Sequence, residues 1–232
     1  WDGFYRIARS ANWQQDIAPL LQSGNAYVKD PSTRLAPALL SPEAGMDVLD
    51  LCAAPGGKSF DLAHHMRFSG RIVAVDLPGK RMARLEENLG KLSDRGLAVD
   101  LVEHDLLALD PGLLRERSLP AGYDAVMLDA PCSNTGVIQR RTDVKWRLEP
   151  GDIGKCARLQ SALLRAAARF VKPGGRLVYS TCSVEAEENR NLVEAFLRSP
   201  AGAAFREEDA TVSRPWETGH DGAGAFLLLK SA

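Results

Sequence analysis

From Gly45 onward, short apolar runs alternate with glycine-bearing or acidic turns and with stretches whose apolar residues recur at helical spacing. The pattern predicts strands at 46–51, 71–75, 99–103, 123–128, 176–181 and 225–229. Helices are expected between them at 58–66, 79–92, 153–171 and 186–197, the third stopping at Pro173-Gly174-Gly175. Upstream, 16–22 reads as a short helix stopped by Gly24, and 32–40 as another with Pro31 in its first turn. Residues 199–222 read as irregular, and no internal repeat is present. Strand and helix in alternation imply right-handed crossovers and an α/β fold, a doubly wound, mostly parallel sheet. Such sheets bind ligands in the crevice beyond the carboxyl ends of their strands.

Those ends carry the candidate chemistry. The first strand runs into Cys52-Ala53-Ala54-Pro55-Gly56-Gly57-Lys58, a turn able to bring backbone against a ligand. The second closes at Asp76, placed to accept from ribose hydroxyls, and the third leads to Asp105, placed to accept from an adenine amino group. The turn lacks GxGxxG, which argues against a dinucleotide and for a cofactor without a pyrophosphate. Any one of these acids is equally a helix cap or turn residue; their agreement at successive strand ends is what points to a nucleoside site. The fourth strand leads to Asp129-Ala130-Pro131-Cys132-Ser133 and the fifth to Ser180-Thr181-Cys182-Ser183, so both thiols should face one crevice. Two thiols beside a nucleoside site suggest covalent chemistry with a bound cofactor. Cys52 reads as a packing residue and Cys156 as a small apolar filler. Lys58 reads as a helix-surface lysine, an ion-pair partner for Asp50 or Asp129, or a substrate contact.

Composition narrows this further. A chain of 232 residues, 45% apolar, can bury one good core. Four cysteines without CxxC spacing, and four histidines not paired with them, argue against a metal site or a disulfide framework. No apolar run has the length of a membrane span and no leader opens the sequence, so a soluble, cytoplasmic protein is expected. The net charge of −1 conceals an asymmetry. Arg140, Arg141, Lys145, Arg147, Lys155, Arg158, Arg165 and Arg169 face only Asp143, Glu149 and Asp152 over 139–169, a surplus of +5 that leaves −6 for the rest. Alone this is a solvated basic face. Directly after Cys132, it reads better as a loop and helix that meet phosphates.

Taken together, the blocks Val48 to Lys58, Asp129 to Ser133, Asp143 to Trp146, and Ser180 to Ser183 followed by Glu187-Glu188-Asn189 resemble the RNA (cytosine-5)-methyltransferases of the RsmB/Sun type. The resemblance covers nearly the whole chain, about 24–230. It implies a Rossmann-like fold and S-adenosylmethionine as cofactor, bound by Cys52 to Lys58, Asp76, Arg81, Asp105 and Asp129. It also implies RNA, ribosomal RNA in particular, as partner to a monomeric enzyme, without metal or membrane. The aromatic and basic opening from Trp1 then reads as the remainder of an upstream RNA-binding region, 1–40, before a catalytic domain, 41–232. Lys29, Asn134 and Ala223-Gly224-Ala225 depart from the family pattern, where glutamine, glycine and bulkier residues are usual.

The chemistry of such an enzyme explains the two thiols. Carbon 5 of cytosine is a weak nucleophile until a thiolate adds to carbon 6 and makes the ring an enamine. A second group then assists loss of the carbon 5 proton and elimination of the enzyme, while Asp129 can hold the ring nitrogen or the exocyclic amine. DNA cytosine-5 methyltransferases attack with a Pro-Cys thiol, which nominates Cys132. The RNA family attacks with its Thr-Cys-Ser thiol, which nominates Cys182 and leaves release to Cys132. The rival readings are a non-catalytic RNA-binding or ribosome-assembly factor on a methyltransferase fold, and a DNA enzyme using Cys132.

Overall fold

The computed structural model describes residues 4–23, 26–93 and 95–232. Trp1 and Gly24, which bear on the expected upstream segment, lie outside them. The strands are β1 (Asp47–Leu51), β2 (Arg71–Asp76), β3 (Ala98–Glu103), β4 (Tyr123–Asp129), β5 (Val171–Thr181), β6 (Phe205–Ser213) and β7 (Ala223–Lys230). The helices are α1 (Ala18–Gln22), α2 (Leu35–Leu40), α3 (Gly57–His65), α4 (Met82–Ser93), α5 (Pro111–Glu116), α6 (Val144–Arg147), α7 (Asp152–Ala168), α8 (Arg190–Leu197) and α9 (Pro215–Thr218).

One sheet in the order β3-β2-β1-β4-β5-β7-β6 holds them together. Strands β1 to β5 pair in parallel, and β7 runs antiparallel between β5 and β6. β1, β2 and β4 are apolar through most of their length because helices cover both of their faces. Alternate residues of β1 feed the two layers: Leu49 and Leu51 pack toward Leu163, Leu164 and Phe196 of α7 and α8, and Val48 packs toward Phe60, Leu62 and Leu85 of α3 and α4. Ala36 and Leu40 of α2 belong to the second of these cores, together with Met127 and Val178. The order of strands reverses between β1 and β4, so the loops after them bracket the ligand crevice of a doubly wound sheet.

Three expectations are corrected. The irregular reading of 199–222 gives way to β6, an edge strand whose Arg206, Glu207, Glu208 and Asp209 obscure any alternation and guard the edge. The long helix stops at Ala168 rather than Val171, because Val171 already pairs with Tyr123 and opens β5. The helix expected from 186 begins at Arg190, after a tight 3₁₀ turn at Ala186–Glu188.

Candidate active site

The turn after β1 is shaped by backbone constraints. Cys52 and Gly56 are left-handed, at φ 60° and 97°, and the Ala54–Pro55 peptide is cis. A Cβ on Gly56 would lie 3.2 Å from Leu85 Cδ1 and 3.3 Å from Asn88 Cβ, so only glycine lets the turn lie against α4. Asn88 Nδ2 donates to the Pro55 carbonyl at 2.7 Å, and the Ala54 amide donates to Asp76 Oδ2 at 2.8 Å. The turn encloses a cavity of about 350 Å³, lined by Cys52 to Pro55, Gly57, Lys58, Asp50 and Asp129. Tyr27, Lys29 and Arg84 complete the wall. Sequence reading gave these three no cofactor role, since they come from an N-terminal loop and a helix face rather than from a strand end.

The expected nucleoside acids are placed unequally. Asp76 is buried at the end of β2, and its second oxygen accepts from the Leu77 amide at 2.8 Å and from Arg81 Nη2 at 3.2 Å. It therefore braces the turn, with Arg81 exposed above it. Neither Asp76 nor Arg81 lines the cavity. Asp105 is not brought to the cavity either: it is exposed beyond β3, where its side chain accepts from the Leu107 amide at 2.9 Å and shapes a turn.

Asp50 is the buried group with most electrostatic consequence. It is fully enclosed, with Oδ2 accepting from Ser59 Oγ at 2.6 Å and Oδ1 unpartnered. Burial pushes its carboxyl up to about 7, with Asp129 and Asp76 adding to the shift and Ser59 and Lys58 opposing it. From about pH 4 the unfolded chain releases this proton while the folded one keeps it, so Asp50's contribution to stability is full in acid. That contribution is lost as pH rises through about 7. Asp50→Asn should therefore gain on wild type by roughly 3 kcal/mol between pH 4 and pH 8 in urea unfolding. A difference that does not change with pH would contradict this.

The two expected thiols meet. β4 and β5 are parallel neighbours with Asp129 opposite Ser180, so their loops run on side by side. Cys132 Sγ lies 3.1 Å from Cys182 Sγ, both half-buried and both free. Donation from the Cys132 thiol holds Cys182 below the ordinary thiol range, against burial and Asp129 and with help from Lys58. The Cys132 thiol is correspondingly pushed far up by its bond to Cys182 and by burial. Of the two, Cys182 is the thiol whose ionised form the contact favours, and Cys132 the one that keeps its proton. Burial and the surrounding acids push Cys52 up to about 12, which fits a packing role. Cys156 is raised as well, first by burial and then by Glu188.

Beside the thiols, Lys58 Nζ meets Asp129 Oδ2 at 2.6 Å, and Ser180 Oγ donates to Asp129 Oδ1 at 3.0 Å. Asp129 holds Lys58 above its ordinary value although burial pulls it down. Lys58 and Asp129 also line a second, smaller cavity together with Cys182, Thr181 and Ala223 to Ala225. Underneath, Glu188 is wholly buried and accepts from the Ser133 amide at 2.9 Å, from Ser133 Oγ at 2.5 Å and from Gln160 Nε2 at 2.9 Å. Gln160 Nε2 also donates to the Pro131 carbonyl at 2.9 Å, which fastens the Pro-Cys-Ser loop from both sides. In the sequence Glu188 is one member of Glu187-Glu188-Asn189 with no evident partner; only the fold brings it under Ser133.

The basic stretch needs revision. Arg140 does not stand free for phosphate: it bridges buried Asp30 and Asp221, meeting the latter at 2.7 Å, and so clamps three segments. Arg147 pairs with Asp143, Lys155 pairs with Asp152, and Arg169 donates to the Leu109 carbonyl. Arg141 and Arg158 have no ion-pair partner among the described residues. Lys145 lies 5.2 Å from the ring centre of Trp146, which is 82% exposed. The face open to a polyanion is therefore smaller than the charge count implied.

Comparison with known proteins agrees with this geometry. A family model described as 16S rRNA methyltransferase RsmB/F matches residues 37–222. Ribosomal RNA small subunit methyltransferase B of Shewanella oneidensis is 40% identical over 191 residues, covering 82% of this chain and 42% of that protein. Its namesake in Vibrio cholerae is 38% identical over 216 residues, covering 91% of this chain and 48% of that protein. This chain thus spans less than half the length of these relatives. Among solved structures, PH0851 superposes with a TM-score of 0.83 at 32% identity, covering 95% of this chain and 50% of that one. NSun6 from Pyrococcus horikoshii, solved with SFG, superposes with a TM-score of 0.78 at 26% identity, covering 92% and 55%. By the family model and by these relatives, the chain belongs to the RsmB/F family of 16S rRNA methyltransferases.

Proposed function

We propose that this chain methylates carbon 5 of a cytosine in structured RNA of the small ribosomal subunit, with S-adenosylmethionine as donor and Cys182 as nucleophile. The observation that carries the proposal is the Cys132–Cys182 pair, 3.1 Å apart, beside an Asp129–Lys58 pair common to both cavities. The larger cavity suits the cofactor. It is walled by the glycine turn, and its polar groups include Tyr27, Asp129 and Asp50, whose Oδ1 has no partner. When bound there, the cofactor supplies an electrophilic methyl group on a sulfonium.

The flipped base is assigned to the side of the smaller cavity, because Cys182 lines it and Asp129 is common to it and the cofactor side; at about 30 Å³ this cavity must widen to admit a pyrimidine. The Cys182 thiolate adds to carbon 6, and the electron pair this places on the ring makes carbon 5 nucleophilic. Asp129, held by Lys58 and Ser180, positions the pyrimidine edge by hydrogen bonding. After methylation, the carbon 5 proton passes to the Cys132 sulfur once that thiol has given its own proton to solvent, the freed electron pair re-forms the carbon 5–carbon 6 double bond, the carbon–sulfur bond breaks and Cys182 leaves as thiolate. Arg141, Lys145 and Arg158, with exposed Trp146, offer phosphate contacts and a stacking surface. That 1–40 continues an upstream RNA-binding region is part of the same proposal, although α2 within it is built into the core.

Bisulfite sequencing of small-subunit RNA from cells with and without the gene tests this reading. One cytosine should resist deamination only when the gene is present. Conversion identical at every cytosine would overturn it.

A further inference from the structure

Asn134 directly follows the Pro-Cys-Ser block, and its backbone is left-handed at φ 65°. Asparagine and glycine both enter that region more readily than other residues, so either can keep the loop's path. Its side chain, however, adds contacts that glycine cannot make. Nδ2 donates to the Cys132 carbonyl at 2.8 Å, which fixes the orientation of the amide. Oδ1 is thereby turned toward Cys182 Sγ, 3.2 Å away, where it accepts from the thiol. In the neutral pair a directional chain results: Cys132 donates to Cys182, and Cys182 donates to Asn134.

We infer that Asn134 is a positioning residue that tethers the Cys182 thiol to the Cys132 backbone, so that the sulfur must give up a hydrogen bond to Oδ1 before it can react. The inference rests on the reading of Cys182 as the attacking thiol. The amide oxygen presents partial negative charge to the sulfur and so favours thiol over thiolate. Of the other groups facing Cys182, Cys132 and Lys58 favour the thiolate, and Asp129 disfavours it. Asn134 therefore acts in the same sense as Asp129, and glycine in its place would leave the thiolate less opposed.

The test is the pH–rate profile of Cys182 alkylation by iodoacetamide in the full chain, without RNA or cofactor, with the modified peptide quantified by mass spectrometry. In this reaction the ionised thiol forms the carbon–sulfur bond, iodide leaves, and the thiol proton has gone to solvent. Asn134→Gly suits the left-handed backbone, and a thermal melt confirms that it stays folded. Below the apparent pKa, Cys182 in this variant should react about two- to tenfold faster than in wild type, the range expected for loss of one ordinary hydrogen bond. Asn134→Asp, which sets a carboxylate beside the sulfur, should move the profile to higher pH. Coincident profiles for wild type and Asn134→Gly, or a shift of both variants in the same direction, would overturn the inference. The readout does not depend on whether Cys182 adds to cytosine, so failure here is distinct from failure of the proposed function.

Discussion

Glu188→Ala is expected to cost about 3 to 5 kcal/mol of stability and to remove methyl transfer even from the molecules that remain folded. Glu188 is wholly buried, and its carboxyl group receives three donors, the Ser133 amide, the Ser133 hydroxyl and the Gln160 amide. Alanine leaves the Ser133 amide in an enclosed space without an acceptor, which costs about 1 to 3 kcal/mol, takes one of the two acceptors of the Gln160 amide, leaves the Ser133 hydroxyl only its longer approaches to Ser183 and Thr135, and empties the volume of the carboxylate. The functional loss follows from position. Ser133 directly follows Cys132, so a loop released from Glu188 no longer holds the two sulfurs at 3.1 Å. Urea unfolding and a single-turnover methylation assay together check both halves. A loss below about 1 kcal/mol, with activity retained, would show that the loop is held by other contacts.

The site was legible where its residues sit at strand ends and illegible where tertiary packing chooses the partner. Adjacent parallel strands place Asp129 opposite Ser180, so the meeting of Cys132 and Cys182 follows from topology that the apolar pattern already implied. The glycine turn after β1 was readable for the same reason. Asp105 differs in setting: it follows β3 at the sheet's edge, where it is exposed and accepts from the Leu107 amide. Arg140 shows the limit. A run of bases announces a charge surplus, but the acids that neutralise Arg140 come from Asp30 and Asp221, far away in sequence. β6 was missed because an edge strand need bury little, and its charges hide the period of two. Tyr27 and Lys29 belong to a loop without periodicity, and only the folded wall of the cavity reveals them.

Removing either sulfur should disable the enzyme, by different amounts and at different steps. On the proposed mechanism, Cys182→Ala takes away the atom that activates carbon 5, and a fall in rate on the order of 10⁴-fold or more is expected, as for other enzymes that lose a nucleophile. Cys132→Ala leaves a nucleophile that has lost the donor holding it below the ordinary thiol range. Its effect should be smaller on addition and larger on release, on the order of 10² to 10⁴-fold overall. Such a variant should accumulate covalent protein–RNA complex on ordinary cytosine, which wild type clears by elimination.

Trapping with 5-fluorocytosine separates the two roles most directly. Fluorine replaces the carbon 5 proton, so elimination cannot follow methylation and the adduct persists on a denaturing gel. With small-subunit RNA carrying the analogue and with S-adenosylmethionine present, wild type and Cys132→Ala should both give the shifted band, and Cys182→Ala should give none. A band that survives in Cys182→Ala and disappears in Cys132→Ala would make the Pro-Cys thiol the nucleophile and contradict the account.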